Sequence, residues 1–384
     1  MCTETTSVKQ DDFYRRKLAA GGAILAPMAG YSDAPFRRLC REFGSAWAVT
    51  EMVSAKALVL GDLQGIEIGA PYPGEPDLVI QVFGGEPEVV AAGGRILYDR
   101  YRPAALDLNM GCPVKKVTGK SCGAKLMLEP SRAAAIVRAL AAAVPVPVSA
   151  KLRLGFDKIN VFEVAHALED AGASLITVHG RTAAQKYSGD ADWNTIREVA
   201  ERLTIPVVGS GNVTTAAQYS RYRSWGLGVM VGRGAIGRPW IFAELQAGEL
   251  QDSELQGGAS LALDAIVRLA YRHAALNCDW YGEARGMLPM RAQLSRYFVG
   301  APDYDRLRSR LVQVSSLADL ADCLQTHFGP VLGVPVFGSS TLGGTALQDV
   351  DGRPSGQGEG VPTGSSRQLG AQTLLTAPSA VAKV

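Results

Sequence analysis

The regular recurrence of short apolar runs is the feature of this sequence that most limits its fold. Eight such runs follow one another at intervals of roughly 25 to 30 residues, separated by amphipathic or alanine-rich stretches of helical character. The runs are apolar on both faces, as buried parallel strands are. They comprise residues 23–29, 46–53, 78–83, 105–110, 146–154, 175–179, 205–209 and 228–232.

Eight βα units of this kind predict an α/β fold of the (β/α)8, or TIM, barrel type. An open, doubly wound parallel sheet is the structural alternative, since it is built from the same units. The intervening helices are predicted at residues 35–43, 87–98, 131–143, 161–171, 195–203 and 215–223.

The chain changes character after the eighth run. From about Trp240 no further strand pattern follows, and residues 261–276, 283–297, 305–314 and 317–327 are predicted to be helical. Beyond Gly329 the composition shifts to Gly, Ser, Thr and Pro, which is typical of disordered segments. We therefore predict a lead-in at 1–20, a barrel at 21–245, a small all-helical domain at 246–330 and a disordered low-complexity tail at 331–384.

Composition narrows the class of protein. The 39 basic and 37 acidic residues give a net charge of +2, which argues neither for nor against a nucleic-acid partner. The six cysteines form no C-x-x-C pair, so we expect neither a disulfide framework nor a zinc ribbon. The four histidines form no metal-binding spacing, so we expect no metal. We find neither a secretory signal nor a membrane-spanning run, and we expect a soluble, cytoplasmic protein.

Polar side chains gather where the predicted strands end. Gln81, Asn109, Lys151 and His179 each fall at such a position. Functional groups of a (β/α)8 barrel lie at the carboxyl ends of its strands, and a barrel that served only as a scaffold would not need these four there. The pattern therefore predicts an active site at this rim.

Two of these residues allow several interpretations. Lys151 could form a Schiff base, hold an electron-rich cofactor by its charge, or be a solvated lysine. Arg153, two residues further on, would share its face of the strand and favours an anionic ligand. His179 could be a buried structural histidine or a ligand contact.

The glycine-rich ends of the seventh and eighth runs fit a phosphate site, where backbone N–H groups and a helix N-terminus bind an anion. Arg233 would add a positive charge there. Residues 232–237 also match G-x-G-x-x-G, but no second βαβ unit with an acidic ribose ligand follows. A dinucleotide-binding fold is therefore not favoured.

Cys112 lies between Gly111 and Pro113, just past the fourth run. Most single cysteines are buried and inert, whereas a thiol at this rim could be a nucleophile or a general acid. The residues alone do not choose between these roles. Cys122, on the same loop, is an alternative candidate.

Six segments taken in order resemble the tRNA-dihydrouridine synthases, and the bacterial B-type enzymes are the nearest subgroup. The resemblance extends over residues 25–328. The segments are APMAG at 26–30, DLNMGCP at 107–113, KKV at 115–117, KLRLG at 151–155, TVHGRT at 177–182 and GRGA at 232–235.

The resemblance implies an FMN-binding (β/α)8 barrel followed by a helical tRNA-binding domain. Gln81 would bond the pyrimidine side of the flavin ring, and Lys151 would stabilise negative charge on the reduced flavin. Asn109 and Arg153 are the candidates for contacts with uracil. The remaining flavin contacts would come from Pro27, Met28 and Ala29 through their backbone, and from His179, Ser210, Gly211, Asn212, Gly232 and Arg233 to the ribityl chain and phosphate.

Two positions depart from the family's pattern. It has an asparagine where Ser210 stands and an acidic residue where Asn212 stands. The side-chain contacts expected there are affected, although backbone contacts are not.

The implied reaction is reduction of the C5–C6 double bond of specific uridines in tRNA. FMN, reduced by NADPH, would pass a hydride from N5 to C6 of uracil, and Cys112 would protonate C5. Cys112 would remain a thiol, with no covalent intermediate in normal turnover. The target base would leave its stack to enter the barrel mouth.

An excess of arginine in the helical domain would attract the tRNA backbone. We expect a monomer. Two alternatives remain open: an FMN barrel that acts on a free pyrimidine or enone, and a non-catalytic RNA-binding barrel. The arginines are Arg268, Arg272, Arg285, Arg291, Arg296, Arg306, Arg308 and Arg310, against the acidic residues Asp279, Glu283, Asp303 and Asp305.

Overall fold

The computed structural model describes residues 12–250, 261–331 and 333–335. At its centre eight parallel strands form one sheet, which confirms the predicted (β/α)8 barrel. The strands are β1 (Ile24–Leu25), β2 (Val53–Ser54), β3 (Val79–Phe83), β4 (Ala105–Asn109), β5 (Val148–Arg153), β6 (Leu175–His179), β7 (Val207–Ser210) and β8 (Gly228–Val231).

The segment that precedes β2 closes the ring. β1 pairs with β8 on one side, and on its other side Leu25 bridges to Ala48. The next residue of the segment, Val49, bridges to Val79 of β3, and β2 itself pairs with β3. The second predicted strand, 46–53, is thus interrupted, because its residues divide their pairing between two neighbours. Closure excludes the open doubly wound sheet.

Helices alternate with the strands, and the six predicted between the runs are all present, with ends displaced by at most three residues. Asp33, Asp192 and Thr215 begin three of the helices by accepting a backbone N–H from the first turn. The helices are α1 (Asp12–Ala19), α2 (Ala34–Glu42), α3 (Ala55–Val59), α4 (Leu63–Ile68), α5 (Pro87–Tyr101), α6 (Lys115–Thr118), α7 (Pro130–Ala143), α8 (Val161–Asp170), α9 (Trp193–Arg202) and α10 (Ala216–Arg223), with 3-10 turns at Gly123–Leu128 and Arg233–Ala235.

Helix α1 closes the amino end of the barrel. Phe13 and Tyr14 pack against the lowest inward-facing layer of side chains, and the rings of Tyr14 and Trp47 lie 5.9 Å apart. Residues 1–20 were predicted only as a lead-in. The helix was not predicted, because its sequence, DFYRRKLA, is short and strongly charged. The layer consists of Ile24, Trp47, Val79, Ala105, Leu175, Val208 and Met230.

A helical region follows the barrel, as predicted. It comprises α11 (Ile241–Leu250), α12 (Leu263–Tyr281), α13 (Glu283–Tyr297), α14 (Tyr304–Leu311) and α15 (Leu317–Phe328). His273 of α12 stacks on Phe36 of α2 with ring centroids 5.4 Å apart, and Leu39 of α2 belongs to the core of the helical region. Arg272 forms a two-pronged ion pair with Glu42. The barrel and the helical region therefore lie in one compact unit.

The predicted domain limits at residues 20, 245 and 330 stay predictions. The predicted disordered tail lies outside the described residues, apart from residue 331 and residues 333–335. Across the described ranges, no helix is long and apolar enough to cross a membrane.

Candidate active site

Strand register brings the residues singled out at the strand ends to one face of the barrel. Lys151 of β5 lies opposite Asn109 of β4, and Arg153 lies opposite His179 of β6. His179 in turn lies opposite Ser210 of β7. Neighbouring strands are about 4.8 Å apart, so these residues line one continuous floor at the barrel mouth.

Two side-chain amides, those of Gln81 and Asn109, connect Asp107 to the loop that carries Cys112. Nε2 of Gln81 donates to Oδ2 of Asp107 at 2.7 Å, and its Oε1 accepts from Nδ2 of Asn109 at 2.8 Å. Oδ1 of Asn109 accepts the backbone N–H of Cys112 at 3.1 Å. Because Gln81, Asp107 and Asn109 are all buried, the start of the Cys112 loop is held firmly to β4.

Lys151 places a positive charge on this floor. Burial, with the charge of Arg153 beside it, lowers the pKa of Lys151 to about 8, and the charge of Asp107 opposes that shift. The ammonium is therefore mostly protonated at neutral pH. Within the described part of the chain it has no hydrogen-bond or ion-pair partner. Such a group is available to hold negative charge on a ligand.

His179 is a neutral ring on the same floor. Burial, followed by the charges of Lys151 and Arg153, lowers the pKa of His179 to about 2. Nη1 of Arg181 lies 3.2 Å from its Nε2. An arginine can only donate, so Nε2 accepts, and the neutral ring carries its proton on Nδ1. The Nδ1–H group is then a donor for a ligand.

Arg181 borders the site and was not among the predicted site residues. Its side chain is 1% exposed, and its guanidinium also donates to the carbonyl of Ser188 at 3.1 Å and to Oδ1 of Asn212 at 2.5 Å. Asn212 adopts a left-handed backbone with φ 57°, and its side chain accepts from Arg181. The signal was present in the sequence, since Arg181 follows His179 by two residues at a strand end.

Arg153 is largely occupied by the backbone. Its Nε donates to the carbonyl of Gly111 at 2.7 Å, and its Nη1 donates to those of Thr182 and Lys186 at 2.8 and 2.9 Å. The side chain therefore ties the loop after β4 to the loop after β6. Its expected contact with uracil stays a prediction.

Arg233 and Tyr187 border the mouth near the ends of β6 and β8. The guanidinium of Arg233 lies 4.3 Å from the centre of the Tyr187 ring, and both side chains are exposed. In the described residues Arg233 has neither an acidic partner nor a hydrogen bond. Its charge is therefore open to an anion.

The two candidate thiols differ in their surroundings. Cys122 is buried, its Sγ lies 3.1 Å from the carbonyl of Lys120, and burial raises its pKa. Cys112 is partly exposed, and its carbonyl accepts from the N–H of Ala124 at 3.0 Å. Gly123 lies so close that a Cβ there would be 2.8 Å from that carbonyl. The structure therefore favours Cys112 as the accessible thiol.

The end of β1 is partly exposed at residues 27–30. The N–H of Met28 donates to Oγ of Ser32 at 2.8 Å, and its carbonyl accepts from the N–H groups of Tyr31 and Ser32. The backbone of Met28 is thus occupied within the protein. The backbone contacts expected from Pro27, Met28 and Ala29 to the flavin stay predictions, and Ala29 is exposed.

Comparison with known proteins gives the family. The model of the family described as "Dihydrouridine synthase (Dus)" matches residues 24–329. The chain belongs to this family. The "Probable tRNA-dihydrouridine synthase" of Rickettsia conorii is 37% identical over 290 residues, which cover 74% of this chain and 86% of that protein. "tRNA-dihydrouridine synthase B" of Klebsiella pneumoniae is 34% identical over 311 residues, 79% of this chain and 95% of that protein.

The barrel mouth of this dihydrouridine synthase family member fits an anionic, aromatic group such as FMN. Lys151 and Arg233 supply positive charge, and neither forms an ion pair within 4 Å among the described residues. A Cβ at Gly211 would come within 2.4 Å of that of Ala191, so only glycine fits where the end of β7 packs against Ala191 and His179. A Cβ at Gly232 would lie 3.6 Å from the sulfur of Met28, which marks an apolar side of the same site. The described residues hold no metal-binding cluster of His, Cys, Asp and Glu.

Proposed function

We propose that this protein is a tRNA-dihydrouridine synthase, an oxidoreductase that reduces the C5–C6 bond of specific uridines in tRNA with FMN as cofactor and NADPH as reductant. One observation carries the proposal. The loop of Cys112 is fastened by Asn109, and Asn109 lies opposite Lys151, whose ammonium has no partner among the described residues. A partly exposed thiol and a cation therefore belong to neighbouring strand ends at the mouth of a barrel of this family.

Lys151 would contact the flavin ring, because it is the cation on the floor. Gln81, whose amide lies between Asp107 and Asn109, is the proposed contact to the pyrimidine side of the ring. Arg181 would act through His179 by fixing which ring nitrogen is the donor. Ala29 and Pro27 would line the ring, with the side chain of Met28 beside them. The ribityl chain and phosphate would be held by His179, Ser210, Gly211, Asn212, Gly232 and Arg233.

The reaction needs a hydride at C6 and a proton at C5 of uracil. When bound, reduced FMN supplies the hydride. The electron pair displaced from the C5–C6 bond then takes a proton at C5, and the thiol of Cys112 gives it. Lys151 holds negative charge at the floor throughout. Asn109 and Arg153 are the proposed contacts to uracil.

Cys112 acts as an acid in this scheme. A nucleophilic cysteine requires a neighbouring base to form the thiolate. His179 does not serve as one, because its Nε2 accepts from Arg181 and its Nδ1 carries the proton. The structure therefore offers no base at His179 that would make Cys112 a nucleophile.

Exposed arginines of the helical region support tRNA as the substrate. Arg268, Arg296, Arg306 and Arg308 are exposed and have no partner within the described residues. A free pyrimidine or an enone would not need such a surface, since phosphate contacts are what compensate for unstacking a base. Other arginines of the set are occupied: Arg272 by Glu42, Arg285 by Glu67, Arg310 by Asp322 and Arg291 by the carbonyl of Val314.

The test compares Cys112→Ala with its neighbour Cys122→Ala. Both variants should bind flavin and oxidise NADPH. Cys112→Ala should form no dihydrouridine in unmodified tRNA, measured by mass spectrometry of nucleosides, whereas Cys122→Ala should stay active. Wild-type protein that binds no FMN, or that reduces free uridine as readily as tRNA, would contradict the proposal.

A further inference from the structure

We infer that Asp107 is a positioning residue, whose carboxylate orients the two side-chain amides that hold the Cys112 loop. The inference rests on the proposed function only in making Cys112 the proton donor. Asp107 lies inside the barrel, on β4, two residues before Asn109. It does not border the mouth itself.

Two arms of hydrogen bonds meet at Asp107. The amide arm runs from its Oδ2 through Gln81 and Asn109 to the backbone of Cys112. The hydroxyl arm runs from its Oδ1 to Oγ of Ser149 at 2.6 Å, and from Ser149 to the hydroxyl of Tyr14 at 2.9 Å. The two arms together connect helix α1, at the amino end of the barrel, to the active-site loop.

The amide arm has only one workable polarity. Because both oxygens of a carboxylate accept, Gln81 must turn its NH2 group to Asp107 and its carbonyl to Asn109. Asn109 must then turn its NH2 group to Gln81, which leaves its Oδ1 for the N–H of Cys112. A reversed Asn109 would present a donor to that N–H. The carboxylate of Asp107 thus determines how the amide of Asn109 is oriented at the Cys112 loop.

The hydroxyl arm is tolerant by comparison. A hydroxyl both donates and accepts, so Ser149 can reverse its part if its partner changes. Loss of Ser149 would leave the amide arm intact. Ser149→Ala therefore removes a bond from the same carboxylate without disturbing the path to Cys112, and it is the matched control.

Burial makes this orientation decisive. Tyr14, Gln81, Ser149 and Asp107 are each at most 3% exposed. Bulk water cannot replace a missing partner there, and an amide left unpaired loses its preferred orientation.

The experiment measures how fast iodoacetamide alkylates Cys112 in the purified protein, by peptide mass spectrometry, without tRNA or NADPH. Asp107→Leu should free the loop and speed alkylation of Cys112 about threefold or more, the effect of one lost hydrogen bond. Ser149→Ala should leave the rate within about twofold of wild type. Asp107→Asn should also stay within that range, because its carbonyl can face Gln81 while its NH2 group faces Ser149.

A second variant guards against misfolding of Asp107→Leu. Gln81→Met breaks the amide arm at its next member and should speed alkylation to a similar extent. The inference is overturned if neither Gln81→Met nor a folded Asp107→Leu changes the rate. The inference is equally overturned if Ser149→Ala or Asp107→Asn changes the rate of Cys112 alkylation as much as Asp107→Leu does. If Cys112→Ala still made dihydrouridine, the proposed function would fail while this result could stand.

Discussion

Arg181 holds His179 as a neutral hydrogen-bond acceptor on the floor of the barrel mouth. Nη1 of Arg181 lies 3.2 Å from Nε2 of His179, and the same guanidinium reaches Oδ1 of Asn212. One buried cation therefore connects the ends of β6 and β7. These are two of the strand ends where the cofactor's ribityl chain and phosphate are proposed to bind.

Replacing Arg181 should weaken flavin binding. Arg181→Met removes a charged donor that sets the tautomer of His179, and charged hydrogen bonds contribute about 1.5–3 kcal/mol. We expect the Kd for FMN, measured by quenching of flavin fluorescence, to rise about tenfold or more. Arg197→Met is the control, because Arg197 is exposed on α9 and pairs with Glu201. If wild type, Arg181→Met and Arg197→Met bind FMN with the same Kd, Arg181 does not contribute to flavin binding.

Lys151 should make the stability of the flavin-free protein depend on pH in a defined window. Its pKa is about 8 in the folded protein, below its ordinary value of 10.5. Between these values the unfolded chain binds more protons, so stability rises with pH. Lys151→Met should therefore be more stable than wild type near neutral pH. The difference between their free energies of unfolding should become smaller as pH rises through this window. Urea unfolding at several pH values measures this difference, and a difference that does not change with pH would contradict the lowered pKa of Lys151.

Exposed arginines of α13 and α14 should set the salt dependence of tRNA binding. Replacing Arg296, Arg306 and Arg308 with alanine should weaken binding at low salt and flatten the plot of log K against log salt. Each phosphate that the variant no longer neutralises should change the slope by about 0.7 to 0.9. Arg272→Ala should keep the wild-type slope, because Arg272 is already paired with Glu42. The same slope for the triple variant and wild type would place the RNA surface elsewhere.

Gly209 of β7 should not tolerate a side chain. A Cβ there would lie 2.2 Å from the ring of Trp193, which is itself stacked on Tyr222 with centroids 3.6 Å apart. Gly209→Ala should therefore lower the free energy of unfolding by about 1–3 kcal/mol, as overpacking does. At Gly111 the nearest atom would be 3.5 Å away, so Gly111→Ala should leave stability nearly unchanged. Urea denaturation measures the free energy of unfolding of both variants. Equal decreases in Gly209→Ala and Gly111→Ala would show that the contact with Trp193 is not the cause.

The sequence was sufficient to predict the barrel, because buried parallel strands appear as apolar runs that recur along the chain. The sixth strand was predicted with its observed limits, Leu175–His179, since its ends coincide with the ends of an apolar run. Helix α1 was missed because Tyr14 is buried only through contacts with distant strands. A short, charged segment gives no local sign of such packing.

The site was predictable only as a set of residues. Their place at strand ends already implied that Gln81, Asn109, Lys151 and His179 would meet, because parallel strands end at one face. Their partners were not predictable. That Arg153 binds backbone carbonyls, that Arg272 and Arg285 pair with the barrel, and that Cys122 is buried all depend on side chains distant in sequence.

The sequence by itself determined the fold class and the residues that reach the mouth of the barrel, since hydrophobic period and strand ends are local properties. Only the tertiary structure decided which groups remain free to act. Hydrogen bonds and ion pairs form between residues far apart in the chain, such as Arg181 with Asn212 and Ser149 with Asp107. Each such bond restricts one group and leaves another, such as the ammonium of Lys151, available for chemistry.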